Sequence, residues 1–119
     1  MIRPVRDRRT FQALRSDGTR VRRGPLSVVH LEIEGATDTA VAYAITKRVG
    51  GAVARNRLRR RLRAIMATLA TDPDRPLPTG ALLVGAGPAA TDRDARELRN
   101  DVEQLLETLR SRIERDAAR

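Results

Sequence analysis

The stretch KRVGGAVARNRLRRRLR, residues 47–63, determines both the fold and the charge of this chain. Eight of its seventeen residues are Lys or Arg, and its two glycines precede a helical pattern. At 100° per residue an apolar stripe forms, which predicts an amphipathic helix packed on a core. The stripe consists of Leu58, Leu62, Ile65, Met66 and Leu69. The opposite face carries Asn56, Arg57, Arg60 and Arg63, with Arg59 at its flank and Arg55 near the stripe.

This arginine-rich segment has no charge partners of its own. From Lys47 to Met66 there is no Asp or Glu, so like charges three and four residues apart repel one another. A run of charge on a helix is usually only a solvated face, but that interpretation leaves the repulsion unrelieved. Because guanidinium groups bind phosphate bidentately and stack on bases, the segment predicts a nucleic-acid partner, RNA above all.

Composition restricts the other possibilities. The 119 residues carry a formal net charge of +9 and predict one small RNA-binding domain over residues 1–119, with residues 1–5 as a flexible basic tail. The absence of Cys and the single His exclude disulfides, thiolate catalysis and a histidine metal cluster. No apolar run reaches membrane length and no signal core opens the chain, so we expect a cytoplasmic protein that binds no membrane.

Periodicity predicts an α+β fold in the order α-β-β-α-β-α, with helices packed on a central sheet. The expected elements are a helix over 7–16, a basic linker over 19–25, and strands over 26–34 and 39–46 that pair as a hairpin. The arginine helix follows, then a proline-rich loop over 71–78, a buried strand from Ala81 to Val84 or Gly85, and a long final helix. Thr91 is expected to open that last helix with a capping box. His30 is expected to be a partly exposed structural residue and not a catalytic one, because no carboxylate or serine is arranged beside it.

The motif from Lys47 to Arg60 resembles the signature of the bacterial ribonuclease P protein subunit. It reads basic-basic-apolar-Gly-x-Ala-Val-x-Arg-Asn-Arg-apolar-basic-Arg, and the flanking segments follow the family's order along most of the chain. The resemblance implies a left-handed β-α-β crossover through the arginine helix, although general rules favour the right-handed form. Family members often carry two further aromatic residues near the first, whereas Arg15 and Val29 stand at the nearest positions here.

The resemblance also implies the function. The chain is expected to be a non-catalytic subunit that binds ribonuclease P RNA, one protein per RNA, and the 5′ leader of precursor tRNA. The active site and its Mg²⁺ would belong to the RNA, and the protein would bind no metal or cofactor itself. The residues expected to bind RNA are Lys47, Arg48, Arg55, Asn56, Arg57, Arg59, Arg60 and Arg63. The residues expected to bind the leader are Phe11, Arg15, Arg59 and Arg63.

Two other functional classes stay open at this point. A ribosomal or ribosome-assembly RNA-binding protein would share the charge pattern, and cleavage assays would separate it from a ribonuclease P subunit. A membrane-surface helix is disfavoured because the apolar stripe lacks Trp and Phe. Inorganic anions such as sulfate or phosphate are further expected partners, at the Gly50-Gly51 helix entrance and around Arg55, Arg59 and Arg60.

Overall fold

A five-stranded mixed sheet forms the centre of the fold, in the strand order β1-β4-β5-β3-β2. The structure is a computed structural model and describes residues 2–118. The strands are β1 (Ile2–Pro4), β2 (Thr19–Arg23), β3 (Leu26–Leu31), β4 (Thr39–Ile45) and β5 (Gly80–Ala86). The helices are α1 (Arg8–Asp17), α2 (Ala52–Leu69) and α3 (Ala95–Ala117), and short 3-10 turns span Lys47–Val49 and Pro88–Asp92.

The two faces of the sheet are covered unequally. One face packs Val28, Val41 and Leu82 against α2 and α3, in the larger core. The other face, which includes Val29 and Leu83, is packed by α1, whose Leu14 is fully buried there. Because β5 contributes to both cores, its sequence is almost continuously apolar, as expected for a central strand.

The crossover from β4 through α2 to β5 confirms the prediction made from the arginine-rich segment. Gly50 turns the chain into α2 with φ 147°, a value that L side chains rarely adopt, and Gly51 is the N-cap. The apolar stripe is the packed face of α2: Leu58, Leu62, Ile65 and Met66 are buried, and Leu69 packs against the same core. The left-handed crossover implied by the family resemblance stays a prediction.

Two predictions about the strands are wrong. The strands over 26–34 and 39–46 do not pair as a hairpin, because β5 lies between β3 and β4 and hydrogen-bonds to both. The basic linker expected over 19–25 is instead β2, which forms the hairpin with β3. Its two-residue turn, Gly24-Pro25, needs the positive φ of Gly24, 55°.

The two ends of the chain also differ from expectation. The flexible tail expected over residues 1–5 is β1 over residues 2–4, parallel to β4, while Met1 lies outside the described residues. An ion pair between Arg3 Nε and Asp38 Oδ2 (2.9 Å) accompanies that pairing. The capping box of α3 is built by Asp94 and Glu97 rather than from Thr91, since each side chain accepts a hydrogen bond from the other's N–H.

His30 has a structural contact in the sheet, and the described helices are too short or too polar to span a membrane. His30 is buried, not partly exposed as expected, because its Nε2 lies 2.8 Å from the carbonyl oxygen of Thr79, a structural contact between β3 and the segment entering β5. Within residues 2–118, no helix combines the length and apolar character that crossing a membrane requires.

A buried carboxylate joins α3 to the β2–β3 hairpin. Asp101 is 4% exposed, and its two oxygens lie 3.2 Å from Arg23 Nε and 3.4 Å from Arg93 Nη1. The alternation of β2 explains the geometry, since Arg23 points to the same side as buried Val21 and therefore toward α3. This cluster fixes the hairpin on which Arg20 and Arg22 are carried.

We predict that Asp101→Ala lowers the free energy of unfolding by about 1–3 kcal/mol, because two arginines lose a desolvated partner. Both arginines keep contact with water, at 50% and 36% side-chain exposure, which holds the cost below that of a fully buried pair. Glu103→Ala is the matched control, because Glu103 lies on the same helix and pairs with Arg99 at 2.9 Å, but on the surface. It should cost under about 1 kcal/mol. Urea denaturation followed by circular dichroism measures both, and equal losses would contradict the prediction.

Candidate nucleic-acid interface

The arginines of α2 have no acidic partners among residues 2–118. Ion pairs within residues 2–118 join carboxylates to arginines of β1, β2, the proline-rich loop and α3, and to Arg93 just before α3. None includes a residue of the segment 47–63. Asn56, Arg57, Arg60 and Arg63 are exposed, and Arg55 and Arg59 are half-buried, as the helical periodicity predicts. The Nε of Arg55 is buried without a hydrogen-bond partner in the described chain. The helix therefore presents cationic groups whose electrostatic partners must come from outside.

One side of α2 borders a cavity that we name the edge cleft. It has a volume of about 650 Å³ and lies at the outer edge of β4, where β1 ends. Phe11 of α1 lines it from one side, and Arg59 and Arg63 of α2 line it from the other. Three of the four residues predicted to bind the leader therefore meet in one cleft. Arg59 is held there by a hydrogen bond from its Nη1 to Asn56 Oδ1 (3.0 Å).

Tyr43 of β4 is the second aromatic residue of the edge cleft. The guanidinium carbon of Arg63 lies 5.7 Å from the centre of its ring, within cation–π range. Burial raises the pKa of the Tyr43 hydroxyl above its ordinary value of 10.0, and the charge of Arg63 opposes that rise. The phenol is therefore neutral at physiological pH and can donate a hydrogen bond.

A second cavity, which we name the sheet groove, lies on the face of the sheet that α1 covers only in part. Its volume is about 660 Å³, and its rim carries Arg15, Arg20, Arg22 and Arg48. Its floor crosses three strands through Ser27, Gly85 and Ala44, which are neighbours in register. These residues are small, and Gly85 has no room for a side chain, since a Cβ there would lie 2.6 Å from Ser27 Oγ. The sheet groove therefore combines a positively charged rim with a floor of small residues.

Phe11 and Arg15 stand between the two cavities. The guanidinium carbon of Arg15 lies 5.1 Å from the centre of the Phe11 ring, so the two residues, one helical turn apart, form a cation–π contact. Phe11 also packs against the core under α1, so its ring contributes both to that core and to the lining of the edge cleft, while its contact with the leader stays a prediction. Of the remaining predicted residues, Arg48 reaches the sheet groove, whereas Lys47 and Arg57 line neither cavity.

Sequence reasoning missed Arg20, Arg22 and Tyr43. The signal for the two arginines was the alternation Arg20-Val21-Arg22 ahead of a Gly-Pro turn, which is a strand pattern with one buried position. The sequence alone does not single out Tyr43 for binding, because only the tertiary fold shows that β1 stops short of it. Within residues 2–118 the structure brings no three acidic or histidine side chains together in a way that could hold a metal ion.

Comparison with known proteins decides the family. Residues 3–110 match the sequence model of the ribonuclease P family. The chain belongs to the ribonuclease P protein family. The ribonuclease P protein component of Streptomyces avermitilis is 41% identical over 107 residues, covering 76% of this chain and 83% of the relative. That of a Nocardioides species is 38% identical and covers 86% of both chains.

Solved structures agree on the fold. The ribonuclease P protein of Staphylococcus aureus superposes with a TM-score of 0.78 at 20% identity, covering 89% of this chain and 94% of that one. The Thermotoga maritima protein gives a TM-score of 0.74 at 19% identity, with coverages of 88% and 96%. As a member of this family the chain is a protein subunit of a tRNA-processing endoribonuclease, and the ribosome-assembly alternative is not favoured.

We predict that Arg63→Gln raises the pKa of Tyr43 further, because removing a nearby cation makes the phenolate harder to form. The chain has one Tyr and no Trp, so alkaline titration of the ultraviolet absorbance reports this group alone. Arg61→Gln is the matched control on the same helix, since Arg61 does not line the edge cleft. It should leave the titration unchanged, and an equal shift in both variants would show that only overall charge matters.

Proposed function

We propose that this protein binds the catalytic RNA of ribonuclease P and the 5′ leader of precursor tRNA, and so assists removal of the leader. The observation that carries the proposal is the arginine face of α2, which has no acidic partner in the described chain. An RNA backbone would supply the missing anions.

We assign the two RNAs to different sides of α2. Asn56, Arg57 and Arg60 are exposed away from the edge cleft and are proposed to contact the catalytic RNA, together with Arg55, Lys47 and Arg48. Phe11, Arg15, Arg59 and Arg63 are proposed to contact the leader, because three of them line the edge cleft and Arg15 stacks on Phe11. A single strand entering the edge cleft would pass Arg15 into the sheet groove, whose rim is wholly basic among its charged groups.

The chemistry itself is proposed to lie in the RNA. Its active site would use Mg²⁺ bound through the RNA subunit, and this chain would contribute binding and positioning, with one protein per RNA. The proposed place of work is the cytoplasm, where precursor tRNA is made. The protein alone should cut no RNA.

We further propose that inorganic anions occupy part of the same surface. The first turn of α2 has no acidic residue and its N-cap, Gly51, supplies no side-chain hydrogen bond, so its N–H groups are available to an anion. Arg55 and Arg59 follow shortly after in the sequence and add positive charge. Sulfate or phosphate bound there would relieve the repulsion within the helix. Such ligands stabilise the folded chain in proportion to their preference for it over the unfolded chain.

The proposed function predicts that added protein restores cleavage of a precursor tRNA by bacterial ribonuclease P RNA at low magnesium. The physical reason is that protein cations replace part of the counterion screening that the RNA otherwise draws from magnesium. The assay compares RNA alone, protein alone and both together, and follows release of the leader. An unchanged rate and an unchanged substrate affinity with the protein present would contradict the function.

A second prediction concerns the contribution of a single arginine. Each phosphate neutralised on single-stranded RNA adds about 0.7 to the slope of log affinity against log salt. Arg60→Ala should therefore flatten that slope by about 0.7 and weaken binding whatever the RNA sequence. Arg99→Ala on α3 is the matched control, because Glu103 already pairs with Arg99. A slope unchanged by Arg60→Ala would place this side chain in solvent.

A further inference from the structure

The floor of the edge cleft contains unpaired main chain. Alternate residues of β4 face opposite neighbours: Asp38 and Thr46 hydrogen-bond toward β5, with Gly80 N–H and Ala86 C=O, whereas Val41 C=O accepts from Val5 N–H at 3.2 Å. Tyr43 lies two residues beyond Val41, so its N–H and C=O point the same way, toward the β1 side. The β1 pairing ends at Val5, and within residues 2–118 neither group of Tyr43 has a main-chain partner.

The walls of the edge cleft add planar surfaces and positive charge to that floor. The Tyr43 ring is half-buried against α2, with the Arg63 guanidinium beside it, and Phe11 stands on the α1 side. Arg59 and Arg63 have no acidic partner in the described chain. At about 650 Å³ the cavity lies within the usual range of small-ligand sites, about 300–1,000 Å³.

One chemical class uses all of these features together. A nucleobase has flat faces for an aromatic ring and an edge of donors and acceptors for main-chain groups, and its phosphate suits a pair of guanidinium groups. An inorganic anion would leave the strand edge and the ring unused. An added peptide strand would pair with the edge of β4 but would leave two cations uncompensated.

We infer that the edge cleft binds one unpaired nucleotide of RNA, with its base against Tyr43 and the exposed edge of β4 and its phosphate between Arg59 and Arg63. The inference rests on the proposed RNA-binding function and adds Tyr43 to the contacting residues. The nucleotide belongs either to the catalytic RNA or to the leader, and the experiments below distinguish these sources.

The first experiment uses Tyr43 as its own reporter, since it is the only Tyr and the chain has no Trp. A single-stranded RNA hexanucleotide should quench the tyrosine fluorescence saturably, after correction for RNA absorbance with N-acetyltyrosinamide. A hexamer of abasic ribose-phosphate should bind through its phosphates without that quenching. Equal quenching by both oligomers would overturn the inference, because it would show a purely electrostatic effect.

Two substitutions separate stacking from folding. Tyr43→Leu keeps an apolar side chain in the half-buried position and should weaken hexanucleotide binding by about 5- to 100-fold, the range for loss of one stacked base. Tyr43→Phe keeps the ring and should bind as the wild type does. Circular dichroism checks that both variants are folded. Wild-type affinity in a folded Tyr43→Leu variant would overturn the inference.

The second experiment identifies the RNA. Because the chain has no Cys, Ala67→Cys gives a single attachment point for a photo-cross-linker at the exposed rim of the edge cleft. Cross-links should form at a defined nucleotide, mapped either in ribonuclease P RNA or in the leader, and Ser111→Cys on the exposed side of α3 should give none. If wild-type protein stimulates cleavage but the Ala67→Cys adduct forms no cross-link to either RNA, the inference fails while the proposed function stands.

Discussion

The parallel pairing of β4 with β5 is the constraint on which the rest of this structure depends. Two parallel strands cannot be joined by a tight turn, so the chain must cross the sheet between them, and α2 is that crossing. The apolar stripe of α2 packs into the larger core through Leu58, Leu62 and Met66. Every arginine that falls off the stripe is therefore held on a helix that cannot rotate. The packing of leucines and one methionine fixes the direction of the cationic face.

The distribution of ion pairs separates a structural helix from a binding helix. On α3, Asp101, Glu103 and Glu107 pair with arginines, so the charges of that helix are largely satisfied within the protein. On α2 no acid is available, and repulsion between neighbouring guanidinium groups opposes folding. The chain accepts this cost over one helix only. The same surface gains most when a polyanion arrives, which connects the stability of the free protein to its function.

Much of the fold could be predicted because local patterns and tertiary packing agree along α1, α2, β5 and α3. Local sequence alone was sufficient to predict three features: the helical stripe of α2, the turn at Gly50 and the continuously apolar β5. The failures concern pairing between segments. The sequence does not show that β5 inserts between β3 and β4, and β2 has a single buried residue, Val21, so its strand pattern is weak.

The candidate interface, like the fold, was predictable only in part. Helical spacing identified the arginines, because each is positioned by the helix that carries it. The binding role proposed for Tyr43 is not visible in the sequence, because it depends on where β1 ends, and β1 lies far from Tyr43 along the chain. Arg20 and Arg22 could not be placed at the sheet groove, because the sequence predicts a basic linker where β2 lies. Residues that act through a neighbouring strand are visible only once the sheet order is known.

The positions where this chain departs from the family's aromatic pattern now have a physical account. Val29 is 2% exposed and packs beneath α1, so an aromatic residue there would have to displace core packing or enter the sheet groove. Arg15 places a guanidinium plane on Phe11 instead, and such a plane both stacks on bases and pairs with phosphate. Any RNA recognition along the sheet groove would therefore rely on charge and shape. The aromatic side chains of the chain lie at the edge cleft instead, where Phe11 and Tyr43 line opposite sides of the same strand edge.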